Sequence, residues 1–104
     1  MKPAEIVRAE LDSWNRLDVD EAMRFFARDA VWEDVPLEPI SGYDAIRERA
    51  EEIVLHTTSA QIEILNLVAE ANIVLTERID QFLYDGAMVV ARVMGRSKRV
   101  TTSS

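Results

Sequence analysis

The stretch VLTERIDQF, residues 74–82, decides how this chain is read. Its β-branched and aromatic residues suit a strand. Side chains alternate across a strand, so residues two apart share a face. Val74, Thr76, Arg78, Asp80 and Phe82 line one side, and Leu75, Glu77, Ile79 and Gln81 the other. The first side is the predicted inner one. It carries a guanidinium and a carboxyl group into apolar company, where a charge requires a partner or a task.

Working outward, Asp85-Gly86 is a strong hairpin signal. AMVVARVMG, 87–95, supplies the partner strand, and AQIEILNLVAE, 60–70, a strand on the other side. In the latter, Ile62, Ile64 and Val68 alternate with Glu63, Leu65 and Leu67, and Leu65 and Leu67 are assigned to the pocket wall. Upstream, Pro3 suits a first helical turn. Ile6, Val7, Leu11, Trp14 and Leu17 recur at helical spacing, which predicts a helix over 3–16. A second short helix is predicted over DEAMRFFARD, 20–29, capped by Asp18 or Asp20 and burying Met23 with Phe25 or Phe26. A short strand follows at 30–35, then a loop over 36–42 imposed by two prolines and a glycine. A third helix spans 43–56, with Ala45, Ile46, Ala50, Ile53 and Val54 as its apolar stripe. RSKRVTTSS, 96–104, lacks a strand pattern and is predicted as a polar tail after a single domain over 1–95. Three N-terminal helices on one face of a curved antiparallel sheet make an α+β fold, a cone with an internal pocket.

A chain of 104 residues holds one modest core. Its net charge of −7 fits neither nucleic acid nor an anionic membrane surface. With no cysteine, disulfide and thiolate chemistry are excluded, and with His56 alone, so is a multi-histidine metal site. No metal and no cofactor are expected. No apolar run reaches the roughly 20 residues of a membrane span. The N-terminus MKPAEIVRAELDSW has acids early and no continuous apolar segment, unlike a signal peptide, so a cytoplasmic location is expected.

Three segments together resemble the SnoaL-like families of the nuclear transport factor 2 superfamily, and within it limonene-1,2-epoxide hydrolase and its relatives. They are DAVWEDVPLEPISGYDAI at 29–46, VLTERIDQF at 74–82 and VMG at 93–95. The resemblance implies one-step epoxide hydration by two aspartates bridged by an arginine, with a tyrosine and an asparagine assisting the water. Arg78 falls at the arginine position and Asp80 at that of the general acid. Trp32 stands where the tyrosine is expected and Asp34 where the asparagine is expected. The family's base aspartate lies on a further strand with no counterpart here, so the chain resembles the family cut short.

Epoxide opening needs a proton donor at the oxygen and a base at the water. A guanidinium favours the charged form of a lone carboxyl, so a second carboxyl must share Arg78 if one is to stay protonated. Asp34 is the candidate. The expected catalytic set is Asp80, Arg78 and Asp34, with Asp80 as acid and Asp34 as base. Trp32, Thr76, Phe82 and Leu65 are the expected substrate-binding wall around a small apolar molecule. The alternative is a non-catalytic binder of a lipophilic ligand with a vestigial Arg–Asp pair. A ketosteroid-isomerase-like proton shuttle is a third reading, and no tyrosine is assigned as its hydrogen-bond donor.

His56 is assigned to the last carbonyls of the third helix, with no catalytic role. Glu48, Glu51 and Glu52 read as a solvated face. Glu63, Glu77 and Arg92, with Met88, Val90 and Met94, form an outer sheet face expected to carry a homodimer.

Overall fold

The computed structural model describes residues 2–100. Helix α1, Pro3–Trp14, starts with proline in its first turn, and the Lys2 backbone N–H donates to Glu5 Oε1 at 3.3 Å. Its buried Ile6, Val7, Leu11 and Trp14 follow the spacing read from sequence. Helix α2, Val19–Met23, is capped by the Asp18 carboxylate, which accepts from the Glu21 N–H.

The expected second helix over 20–29 is corrected here. It stops at Met23, and strand β1, Phe26–Val35, occupies the second half of the expected helix. Aromatic residues are equally at home in strands, and β1 gains a ladder with the last strand, from Phe26 opposite Val100 to Val35 opposite Met94. Phe26 and Ala30 then face the core with Met23 and Ile46.

The proline loop holds a two-residue strand, β2, Ile40–Ser41, paired antiparallel with β1. Its Val35–Pro36 bond is cis. Gly42, at φ +93, leads into α3, Tyr43–Leu55, which buries Ile46 and Ala50 while Ala45 is exposed. Three long strands follow: β3, Thr57–Glu70; β4, Ile73–Tyr84; and β5, Ala87–Val100. Asp85 and Gly86, both at positive φ, make the β4–β5 turn as the dipeptide predicts. β5 also incorporates residues 96–100, expected as tail, because β1 pairs along it, Trp32 opposite Ser97 and Glu33 opposite Arg96. Residues 101–104 of that tail lie outside the described residues.

The sheet order is β2-β1-β5-β4-β3. All neighbouring pairs are antiparallel, and the helices pack on one face of the curved sheet, as the α+β reading anticipates. The core joins Val7, Leu11 and Trp14 of α1 to Ala50 of α3 and Val74 of β4. No helix is long and apolar enough to cross a membrane among the described residues.

Candidate active site

Because β3, β4 and β5 are in register, the inner face is fixed by position. Ile62 lies opposite Asp80, Ile64 opposite Arg78, and Leu67 opposite Thr76. On the other side of β4, Ala91 lies opposite Asp80, Val93 opposite Arg78 and Gly95 opposite Thr76. This face, with α1 and α3 above it, bounds a cavity of about 530 Å³. Leu11, Trp14, Trp32, Ile62, Phe82 and Val93 form apolar wall, and Asp34, Arg78 and Asp80 form a polar centre in it. A mostly apolar cavity with a few convergent polar groups is how small-molecule sites are built. Trp14 and Trp32 meet with ring centroids 5.8 Å apart, and Phe26 backs Trp32 at 6.3 Å.

Arg78 organises the centre. Its Nε donates to Asp80 Oδ1 at 3.2 Å and its Nη2 to Asp80 Oδ2 at 3.0 Å, a two-pronged clasp of one carboxylate. Nη2 also donates to Asp34 Oδ1 at 3.2 Å, and Nη1 to Thr76 Oγ1 at 3.0 Å. Arg78 is 3% exposed and Asp80 6%. Asp34 is on β1, and β5 lies between β1 and β4. The guanidinium therefore passes over β5 to reach it, and it crosses at Gly95, which pairs with Asp34 on one side and Thr76 on the other. A Cβ at residue 95 would stand 2.2 Å from Arg78 Nη1 and 2.7 Å from Thr76 Oγ1. Glycine is required there by space.

Burial, the largest influence on Asp34, raises its pKa above the ordinary carboxylate range, aided by the charge of Asp80 and opposed by Arg78. Burial also works against the charged form of Arg78. The hydrogen bond to Asp80 and the charges of both aspartates more than offset it, so the guanidinium is raised and stays charged.

A fourth ionisable group belongs to this region. Glu10 is on the buried face of α1, 1% exposed. Its Oε2 accepts from Trp14 Nε1 at 2.7 Å, and its Oε1 is buried without a hydrogen-bond partner. Burial pushes its carboxyl up to about 8, with the charge of Arg78 pulling down and those of Asp34 and Asp80 pushing up.

The structure thus brings Asp34, Arg78 and Asp80 together and puts Trp32 and Phe82 in the cavity wall. Thr76 is buried under Arg78, holding it, and is not part of the wall. Leu65 is not part of the wall either. Ile62 and Ile64 face inward, the reverse of the expected phase, so Leu65 is exposed and Ile62 takes the wall position; a bulge between Ile64 and Asn66 then brings Leu67 to the inner face. Tyr84, given no place in the sequence reading, borders the cavity. Glu10 and Gly95 were also missed. An acid at a core position of an amphipathic helix, four residues before a tryptophan, was the available signal for the first.

His56 ties two elements together: its Nδ1 lies 3.0 Å from Asp85 Oδ1, and its ring stacks on Tyr84 at 5.2 Å. Glu48, Glu51 and Glu52 are exposed, the last two pairing with Arg47 and Arg49. Among the described residues, no group of three His, Cys, Asp or Glu side chains is placed to hold a metal ion.

A family model described as SnoaL-like domain matches residues 7–102. No curated protein matches the chain. Among solved structures, the fold is similar to that of an LEH-like epoxide hydrolase of M. tuberculosis, with a TM-score of 0.79 at 23% identity over 95% of this chain and 77% of that one. It is also similar to an uncharacterised cystatin-fold protein of Novosphingobium aromaticivorans, with a TM-score of 0.78 at 17% identity over 96% of both chains. A third relative is a ketosteroid isomerase-like fold from Catenulispora acidiphila in complex with trimethylamine, with a TM-score of 0.71 at 17% identity over 93% of this chain and 80% of that one. At these identities the likeness is one of fold.

Proposed function

The chain belongs to the SnoaL-like domain family, and on that premise we propose that it hydrates a small, largely apolar epoxide in the cavity around Arg78. One observation carries the reading: a single buried guanidinium is shared by two carboxyl groups beside an apolar cavity. The fold shared with an LEH-like epoxide hydrolase supports it.

The geometry favours a division of labour opposite to the one expected from the sequence. Asp80 is clasped at both oxygens by Arg78, whereas Asp34 receives one bond from that guanidinium, its side chain is 25% exposed, and its pKa is raised. Asp34 is accordingly the proton donor and Asp80 the base. Each oxygen of Asp80 keeps a lone pair for a water. The water oxygen bonds to an epoxide carbon as the ring C–O bond breaks. The water's proton passes to Asp80, and the proton of Asp34 goes to the released oxygen. A proton leaving Asp80 and one regained by Asp34 through solvent restore the starting state. Trp14, Trp32 and Phe82 hold the hydrocarbon part of the molecule.

The test is incubation with a panel of epoxides in heavy-oxygen water, for wild type, Asp34→Asn and Asp80→Asn. Labelled diol from wild type and a loss of about 100-fold or more in either variant are expected. No diol, or equal diol from all three, overturns the reading. The partial exposure of Asp34 favours a second one, in which the cavity binds a lipophilic ligand without turning it over. Saturable binding of apolar oxygen-bearing probes without any diol would select it.

A further inference from the structure

Glu10 occupies a position where an apolar residue is the default. It shares its helix face with Ile6, Val7, Leu11 and Trp14, all buried. A carboxyl placed there is destabilising unless neutral or fully bonded. It is not fully bonded: among the described residues, its Oε1 is the one buried side-chain oxygen or nitrogen without a partner. Its other oxygen holds the indole N–H of Trp14, and Trp14 is cavity wall. A neutral acid can carry its proton on Oε1 while Oε2 accepts from the indole.

The charges that reach Glu10 come from the site. α1 packs against α2, β3, β4 and β5. The ionisable groups that act on Glu10 are Arg78 and Asp80 of β4 and, across the sheet, Asp34 of β1. The carboxyl is therefore buried on the apolar face of α1 against one indole, and the charges of the polar centre reach it.

We propose that Glu10 is a positioning residue of this centre: as a neutral acid it fixes the Trp14 wall, and its ionisation changes the protonation of Asp34. Linkage makes this reciprocal. A third carboxylate beside Asp34 and Asp80 strengthens the hold of Asp34 on its proton, and removing the charge of Asp34 eases the ionisation of Glu10. The inference needs no substrate and goes beyond the hydration reading, so neither fails with the other.

The measurement is NMR on the whole chain between pH 5.5 and 9.5, following the two indole N–H signals and the aspartate and glutamate carboxyl carbons. Trp14→Phe identifies the Trp14 signal. In wild type the Trp14 indole is expected to shift with a midpoint near 8, the value to which burial pushes Glu10, and the Asp34 carboxyl to show an inflection at the same midpoint. In Glu10→Gln, which keeps an acceptor for the indole, both steps vanish. In Asp34→Asn, the midpoint sensed by Trp14 falls. That variant tests the coupling even if Glu10→Gln fails to fold. A Trp14 signal flat with pH in wild type, a step surviving Glu10→Gln, or a midpoint unmoved by Asp34→Asn overturns the proposal. So does a Trp14 step that Asp34 does not share, which would leave Glu10 a purely structural residue.

Discussion

Replacing Gly95 by alanine puts the largest demand on the site for the smallest chemical change. Residue 95 has no positive φ, and alanine is otherwise the better strand residue by about 0.5–1 kcal/mol. Propensity alone therefore predicts a more stable protein. The structure predicts the reverse, because the new Cβ would lie 2.2 Å from Arg78 Nη1, 2.7 Å from Thr76 Oγ1 and 3.2 Å from Asp34 Oδ1. The guanidinium must leave its path over β5. It then loses its bonds to Thr76 and Asp34, while those to Asp80 on its own strand can persist. Each bond to a charged group is worth about 1.5–3 kcal/mol, and the partial exposure of Asp34 brings its share to the low end. The loss is about 3 kcal/mol, and the net destabilisation after the alanine gain is about 2 kcal/mol. For a chain of 104 residues this lowers Tm by roughly 8–16 °C. Thermal and urea melts of wild type, Gly95→Ala, Arg78→Ala and the double variant form a cycle. The penalty of Gly95→Ala is expected to disappear when Arg78 is already absent. A Gly95→Ala protein as stable as wild type, or an equal penalty in both backgrounds, refutes the steric account.

Other outcomes follow from the same geometry. Glu10, at about 8 folded against 4.5 in the reference state, binds more protons folded than unfolded between those values. Its contribution is fully present below about pH 4.5 and is lost as pH rises to about 8, at up to about 1.4 kcal/mol per pH unit. Urea melts across this range should show a shallower fall for Glu10→Gln, with the smaller acid-side slope from Asp34 remaining; parallel curves would contradict the burial of a neutral acid. On the outer sheet face, Leu75, Met88, Val90 and Met94 are exposed beside Glu77 and Arg92. We propose that a second copy of the chain covers them, since the face offers both charge signs to its own two-fold mate. Met94→Glu should then convert dimer to monomer in sedimentation equilibrium, and a wild-type monomer at high concentration would dismiss the idea.

Much of the fold was legible in the sequence for a simple physical reason: periodicity is local. The 3.6-residue recurrence of Ile6, Val7, Leu11 and Trp14 gave α1, the twofold alternation of 74–82 gave β4 and its inner face, and Asp85-Gly86 gave the hairpin. Where two local states compete, distant pairing decided. Phe25-Phe26 left the helix because β5 offered β1 a ladder, and polar residues 96–100 joined the sheet for the same reason. The bulge at Leu65 was invisible because a single extra residue leaves composition unchanged while reversing every side chain beyond it.

Alternation along one strand suffices to put Arg78 and Asp80 on a common inner face, because residues two apart point the same way. What that pair meets depends on how the strands and helices assemble. The tertiary structure set β5 between β4 and β1, opened a path at Gly95 to Asp34, and brought Glu10 from a helix far earlier in the chain within range of the same charges. Alternation along a strand is a property of one backbone, whereas the pKa of a buried carboxyl depends on which other chain segments exclude its water and share its field.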